Sequence, residues 1–405
     1  MIPRADRGSQ PSRMHHALYG LTAFLLFNRV EIRGADLSGL SGAVLFVGLH
    51  RNGALDGVPY MPAAPRAVYL VSAQLHRSAL LRAVFPGIAV ARRKDRQRGI
   101  GADGHEALRA CVYHLGRGGR LFVLPEGTST LGPKHLPFKS GAAEIASAVI
   151  AGGTALTLVP LAVHYERAWA WQSRAEVVIG QPVHFDATSR AEPSELASVI
   201  TGLLETTGVN VDSEEQLRTL ETLAFASTRG TDVSYAQTLK RLEKSVPDEL
   251  SASLETVQLT ARWAGAWKFQ ELPLIPASSL PREALELLLL MPVVALMGAM
   301  NAPPLLIAAL ASRWLPDDRN VVSFWRALIG VPTGLLWAAA VTWGLALSVG
   351  AWGALAYLAL SAAGIRAVRP LKMRAVAIHN ALFAPRVVPP MRDLTRKLAE
   401  HLRDA

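Results

Sequence analysis

A histidine and an aspartate stand six positions apart in the segment that begins at Phe46 and reads FVGLHRNGALDGVPY. His50 and Asp56 follow an apolar run, residues 43–47, which predicts a buried strand. A histidine with a carboxylate partner can serve as a general base and its orienting group. In a continuous helix, two positions six apart point about 120° away from each other. The pair can therefore act together only if the loop, which contains Gly53, folds back; a plain strand-to-helix connection is the alternative.

Two further polar clusters follow apolar runs. Glu126, Gly127 and Thr128 come after residues 120–125, and Arg92 and Arg93 open a basic segment after residues 88–91. In sheets with parallel strands, chemistry gathers at the carboxyl ends of the strands. Three polar clusters at predicted strand ends therefore favour one shared site, although a basic run such as residues 92–98 is also typical of a solvated loop.

The order of the elements indicates the fold class. Apolar runs typical of strands alternate with helical patterns from residue 43 to residue 183, and a helix begins near Lys139. We therefore predict an α/β fold: a mixed, partly parallel sheet flanked by helices, with a C-terminal hydrophobic, membrane-embedded helical region. The uncharged run 14–28 is too short for an ordinary membrane span. It is either an interfacial helix or a core helix.

The C-terminal region is almost free of charge. Residues 287–312 and 327–365 carry no Asp, Glu, Lys or Arg. One span needs about 20 residues, so the second run can hold two helices that turn near residues 350–353. The first run contains Pro303 and Pro304, which forbid a straight continuous helix. It is either a kinked span or a re-entrant hairpin.

The placement of basic residues bears on membrane orientation. Residues 366–405 contain nine Lys and Arg against three Asp and Glu. If both apolar runs are hairpins, the catalytic domain, the loop 313–326 and this tail share the cytoplasmic face, as the positive-inside rule favours. If the first run spans once, the tail lies on the opposite side. We favour two hairpins.

These patterns predict five segments. They are a disordered tail (1–13), an α/β domain with an N-terminal interfacial helix (14–190), a helical extension (191–283), membrane-embedded helices (284–365) and a basic cytoplasmic tail (366–405).

Net charge and residue composition limit the classes of binding partner that we expect. The formal net charge is +10, which suits a bilayer with anionic headgroups. The chain has no zinc-finger spacing, RNA-binding sheet motif or long basic helix, so nucleic acid is not expected. Cys111 is the single cysteine, and an intrachain disulfide is excluded. The histidines show no convincing metal-ligand spacing, since His105 and His114 fall on opposite helix faces.

Four blocks together resemble the glycerolipid acyltransferases, which acylate glycerol 3-phosphate or its 1-acyl derivative. The blocks are GLHRNGALDG, IAVARR, LPEGTST with PFKSGA, and LVPLAV. The resemblance covers about residues 18–185. The segments NAPPLLIAALASR and FWRALIG are similar to the branch of yeast-type glycerol 3-phosphate/dihydroxyacetone phosphate acyltransferases and their bacterial relatives. The common motif has four residues between His and Asp; the five found here resemble a subfamily form.

The resemblance implies a role for each matching residue. His50 would be the general base toward the acceptor hydroxyl as it attacks a thioester of acyl-CoA or acyl-carrier protein, and Asp56 would orient its imidazole. Either Arg92 or Arg93 would hold the acceptor phosphate. The acceptor-binding block would comprise Glu126, Gly127 and Thr128, with Lys139 as a further phosphate ligand. The reaction would need neither a metal nor a cofactor.

Two other classes remain open. Another hydrolase or transferase could use His50 and Asp56, although no G-x-S-x-G motif is present to indicate a serine hydrolase. A non-catalytic membrane protein could bind lipid through an acyltransferase-like domain. The sequence also leaves the acceptor open between glycerol 3-phosphate, dihydroxyacetone phosphate and 1-acylglycerol 3-phosphate (lysophosphatidate).

Overall fold

The computed structural model describes residues 11–91, 104–229 and 231–403. Arg92 and Arg93 lie outside these residues, as does most of the predicted disordered tail. The described helices are α1 Arg13–Leu26, α2 Gly57–Ala63, α3 Ala79–Val84, α4 Gly104–Gly116, α5 Gly141–Ala151, α6 Pro193–Thr207, α7 Glu214–Ser227, α8 Tyr235–Lys244, α9 Asp248–Trp263, α10 Leu280–Met300, α11 Ala302–Trp314, α12 Val322–Ser348, α13 Ala351–Phe383 and α14 Val388–Arg403.

A mixed, mostly parallel sheet forms the centre of the N-terminal half. Its described strands are β1 Phe27–Gly34, β2 Ala43–Gly48, β3 Val68–Ser72, β4 Ile88–Val90, β5 Arg120–Val123, β6 Leu156–Tyr165, β7 Ser173–Ile179 and β8 Val183–Phe185. The spatial order is β1-β7-β6-β2-β5-β3-β4, with β8 on β6. Strand β2 pairs in parallel with β5 and β6, and β3 with β4 and β5, whereas β8 is antiparallel to β6.

The sequence of β2 suits its central place. All six residues are buried, as expected for a parallel strand that is covered on both faces. Helices α4, α5 and α6 supply apolar side chains to the core around β2, among them Leu115, Val149 and Leu204. The predicted α/β class, a sheet flanked by helices, is confirmed.

Some elements follow one another with short connections. Residues 73–84 form a 3₁₀ turn, Ala73–His76, followed by the short helix α3. The strand β1 begins at Phe27, directly after α1. Residues 180–182 separate β7 from β8, where Gly180 and Pro182 interrupt the apolar pattern.

The chain divides into two compact units. The sheet unit comprises residues up to Ala23, Val30–His164 and Ala175–Asn210. The helical unit comprises Phe24–Arg29, Tyr165–Arg174 and Val211–Ala405.

Within the helical unit, α13 contacts the two short segments from earlier in the chain, Phe24–Arg29 and Tyr165–Arg174. Arg369 is buried and donates to Glu166 at 2.5 Å, and Arg366 donates to the carbonyl oxygen of Phe27 at 2.7 Å. Removing either partner of a buried ion pair leaves an uncompensated charge, so such pairs favour one arrangement of the segments over others.

Among the described residues, three helices are long and apolar enough to cross a membrane: Leu280–Met300, Arg319–Ser348 and Ala351–Phe383. The first apolar run breaks at Asn301, between α10 and α11, so that Pro303 and Pro304 fall in the first turn of a new helix, where proline is tolerated. Tyr357 of α13 donates to Asn301 at 2.8 Å, and Asn301 donates to Ser361 at 3.0 Å. These bonds satisfy the polar side chain among apolar helices.

The two-hairpin topology can be tested with single cysteines at the exposed positions Ala187, Asp317 and Ala399. Burial raises the pKa of the native Cys111 thiol to about 12, so an impermeant maleimide should leave it unlabelled in sealed membranes. Two hairpins predict that all three introduced cysteines label from the same side. Labelling of position 399 from the side opposite to position 187 would contradict that arrangement.

Candidate active site

The loop after β2 turns sharply enough to return Asp56 to the end of its own strand. Gly53 has φ +55°, a conformation that side chains disfavour, and it starts a 3₁₀ turn, Gly53–Asp56. Tyr60 of α2 donates its hydroxyl to the carbonyl oxygen of Leu49 at 2.8 Å. This bond fixes the start of the loop against the first helix that follows it.

The loop brings His50 and Asp56 into direct contact. The Nδ1 of His50 lies 2.8 Å from Oδ2 of Asp56. The Asp56 side chain is completely buried, whereas that of His50 is 13% exposed. Because the carboxylate is the acceptor, Nδ1 carries the hydrogen and Nε2 can accept a proton from another molecule.

Backbone groups hold the carboxylate of Asp56. Its Oδ2 also accepts from the N–H groups of Arg51 at 2.7 Å and Asn52 at 2.9 Å. A buried carboxylate is costly unless several donors satisfy it. The three donors lie on the same short loop, so the loop conformation and the His50 orientation depend on each other.

Glu126 links this loop to the one after β5. The strand register pairs Val47 with Val123, so residues three positions beyond each, His50 and Glu126, reach the same sheet edge. The buried Glu126 accepts from the N–H of His50 at 2.7 Å and from the N–H of Leu136 at 3.1 Å. Burial raises its pKa, and these hydrogen bonds partly oppose the rise.

The rest of the second loop lies against the same edge. The N–H of Thr130 donates to the carbonyl oxygen of His50 at 3.0 Å. Gly127 has φ +68°, and a Cβ placed there would lie 2.3 Å from Nζ of Lys139. The ammonium group therefore occupies the space that a side chain at position 127 would take. Thr128 and Lys139 are both exposed.

The structure thus brings together five of the eight residues singled out in the sequence: His50, Asp56, Glu126, Gly127 and Lys139. Thr128 follows in the same loop, and the two arginines at 92 and 93 lie outside the described residues. Sequence reasoning missed the N–H groups of Arg51, Asn52 and Leu136, since residue type carries no information about a backbone donor. In the described part of the chain, no cluster of three His, Cys, Asp or Glu side chains could hold a metal ion.

One family model matches the stretch of the chain that contains both loops. Residues 29–164 match the family model described as Acyltransferase, and the stretch includes the His50 loop and the Glu126 loop. The match confirms the acyltransferase resemblance for this part of the chain. A search of curated proteins finds no significant match.

Among solved structures, the chain is similar to a 1-acyl-sn-glycerophosphate (LPA) acyltransferase, PlsC, from Thermotoga maritima. The identity is 17% and the TM-score is 0.35; the alignment covers 47% of this chain and 76% of that one.

The effect of Glu126 on stability should depend on pH. A carboxyl whose pKa is raised on folding binds its proton more tightly in the folded state, so its contribution is complete below the ordinary pKa of 4.5 and is lost as the pH rises through the raised value. The unfolding temperature of the wild type should therefore fall, relative to Glu126→Gln, as the pH rises above 4.5. Differential scanning fluorimetry of the detergent-purified chain measures this difference.

The exposed Glu144 supplies the control, because Glu144→Gln should show no such trend. A wild-type advantage over Glu126→Gln that grows with pH would mean that the two N–H bonds outweigh the cost of burying the charge.

Proposed function

We propose that this chain, whose residues 29–164 match the family model described as Acyltransferase, is a membrane-bound O-acyltransferase of phospholipid biosynthesis. It moves a fatty acyl group from a thioester, acyl-CoA or acyl-carrier protein, to the hydroxyl of glycerol 3-phosphate or 1-acylglycerol 3-phosphate. The observation that carries the proposal is the His50–Asp56 hydrogen bond at the end of the central strand.

The geometry suits transfer of an acyl group from the sulfur of a thioester to the oxygen of a hydroxyl group. The acceptor hydroxyl gives its proton to Nε2 of His50 as its oxygen attacks the thioester carbon. The C–S bond then breaks, and the departing thiolate takes the proton from the imidazolium. Asp56 stabilises the charged ring between these steps, as the acid does in a Ser-His-Asp triad, with the substrate hydroxyl in place of serine.

Glu126 acts through His50 in this proposal. Both of its oxygens accept backbone N–H groups, so it is a positioning residue that joins the two loops. The acceptor phosphate is a dianion and needs cationic partners. We propose Lys139 together with Arg92 or Arg93 for that role, and the exposed Thr128 as a ligand of the glycerol portion.

The apolar helices fit the substrates proposed. A fatty acyl product partitions into a bilayer, and three helices of this chain can cross one. We propose that the chain is anchored there with its catalytic domain at the cytoplasmic face, where anionic headgroups attract its net charge of +10.

Acyl transfer should be measured with membranes that contain the protein. Oleoyl-CoA or the acyl-carrier-protein thioester is offered with glycerol 3-phosphate, dihydroxyacetone phosphate or 1-acylglycerol 3-phosphate. We expect transfer to one acceptor, reduced about 10²–10⁴-fold in His50→Ala and in Asp56→Asn, because general base catalysis contributes that much.

The variant His184→Ala removes a histidine whose side chain is 58% exposed, and it should keep full activity. Absence of transfer with every donor and acceptor would replace the enzyme proposal by the lipid-binding alternative.

The role of Lys139 can be tested without deleting its side chain. Gly127→Ala places a methyl group where the Lys139 ammonium lies, so the ammonium must move. We expect kcat/KM to fall about tenfold, which corresponds to about 1.4 kcal/mol of lost transition-state stabilisation.

Gly141 has open space around it, so Gly141→Ala serves as the matched control and should leave kcat/KM unchanged. Lys139→Ala should cause the same fall as Gly127→Ala, and the double variant no further fall. Additive losses in the double variant would assign the effect to backbone strain at position 127 and not to Lys139.

A further inference from the structure

A cavity of about 270 Å³ lies entirely within the helical unit. Four arginines and one glutamate line it, together with smaller side chains, and we call it the arginine cavity. The charged residues are Arg174, Arg229, Glu283, Arg369 and Arg374. They come from β7, the turn after α7, the first turn of α10 and the middle of α13.

Two of the four guanidinium groups form close ion pairs with carboxylates. Arg369 donates to the buried Glu166 at 2.5 Å, and Arg374 pairs with Glu286 and also lies 3.5 Å from Glu283. Arg174 is more distant from its carboxylate partner, with 4.0 Å between its Nε and Glu166. The positive charge of Arg369 and Arg374 is therefore largely compensated.

No carboxylate of the described residues pairs with Arg229. Its Nη2 donates to the carbonyl oxygen of Ile275 at 3.2 Å, while its Nε is buried without a hydrogen bond to any described residue. Glu283 also lines the cavity, but its Oε1 already accepts the N–H groups of Ala277 and Ser278.

The Nε of Arg174 is likewise buried without a hydrogen bond. A buried N–H donor without an acceptor is costly, and an anion supplied from outside would offset that cost. The cavity therefore combines a net positive lining, two unused donors and a volume that can hold a phosphate group.

The position of the cavity along the helices indicates the kind of anion. The uncharged stretch of α10 begins directly after Glu286, and that of α13 ends directly before Arg366. The charged residues that α10 and α13 contribute thus stand at the ends of the uncharged stretches of two helices that are long enough to cross a membrane. In a bilayer this is the level of the headgroups, where basic pockets between helices bind lipid phosphates.

We infer that the arginine cavity is a phosphate-binding site of the helical unit, with Arg229 as its principal ligand. The phosphate belongs to an anionic phospholipid headgroup or to free phosphate in solution. A site of this kind would make the helical unit sensitive to the anionic lipid content of its membrane. It requires no catalytic role for any residue of the sheet unit.

The test uses the full chain in detergent micelles, with native mass spectrometry to count bound ligand. Phosphatidylglycerol serves as the anionic lipid, phosphatidylcholine of the same chains as the zwitterionic lipid, and inorganic phosphate as the free anion. Arg229→Gln should weaken phosphatidylglycerol binding about tenfold, the loss expected for charge-assisted hydrogen bonds. The exposed Arg392 provides the matched control, Arg392→Gln, which should bind as the wild type does.

Binding of phosphatidylglycerol that depends on Arg229, without binding of inorganic phosphate, would identify a lipid headgroup as the source. Binding of inorganic phosphate that depends on Arg229 would identify the free anion. Equal binding of phosphatidylglycerol and phosphate by wild type and Arg229→Gln would overturn the proposal. Since phosphatidylglycerol is not an acceptor in the proposed acyl transfer, the result is independent of that function.

A second variant covers the case in which Arg229→Gln does not fold. Ala277→Trp would fill the arginine cavity from an exposed position without removing a charge, and it should also abolish the bound anion. Ala252→Trp, at an exposed position on α9, should not. Retained binding in Ala277→Trp would exclude the cavity as the site.

Discussion

The active-site geometry depends on one buried carboxylate. Asp56 is completely inaccessible to solvent, yet it accepts from the imidazole of His50 and from the N–H groups of Arg51 and Asn52. An ionised carboxylate is tolerated in such a place only when donors surround it. The loop conformation that supplies these donors is the same conformation that orients the imidazole, so burial of the carboxylate and orientation of the His50 ring depend on one loop conformation.

A second buried carboxylate connects this loop to the neighbouring loop at the same sheet edge. Glu126 joins the N–H of His50 to that of Leu136, and thereby couples the loops that follow β2 and β5. These strands are adjacent and parallel, with Val47 opposite Val123. The exposed side chains of Thr128 and Lys139 lie on the second of these loops and on its continuation, whereas the two carboxylates that hold the loops are buried.

The helical unit solves a different electrostatic problem. It places several arginines near apolar, membrane-length helices, where each charge needs a partner. Arg369 obtains one in Glu166, and Arg374 obtains one in Glu286. Arg229, which lines a cavity, has a buried Nε with no acceptor in the described part of the chain. The contrast between paired and unpaired arginines in a single unit is the basis for assigning that cavity to an anion from outside the chain.

The sequence by itself determined the elements and the chemistry available. The fully apolar run of β2, the helical periodicity of α4 and the uncharged runs after residue 286 are local patterns, because burial of a face or a span imposes them on neighbouring residues. His50, Asp56 and Glu126 stood out because few residue types can move protons or hold charge. The family match over residues 29–164 agrees with that reading.

Only the tertiary structure decided which groups meet. The donors to Asp56 and Glu126 are backbone N–H groups, which every non-proline residue possesses and which no residue type reveals. The arginine cavity gathers Arg174, Arg229 and Arg374 from positions up to 200 residues apart. Such contacts arise from strand register and helix packing, which depend on the folding of the whole chain. Hydrophobic periodicity, in contrast, depends only on residues within a few turns of each other.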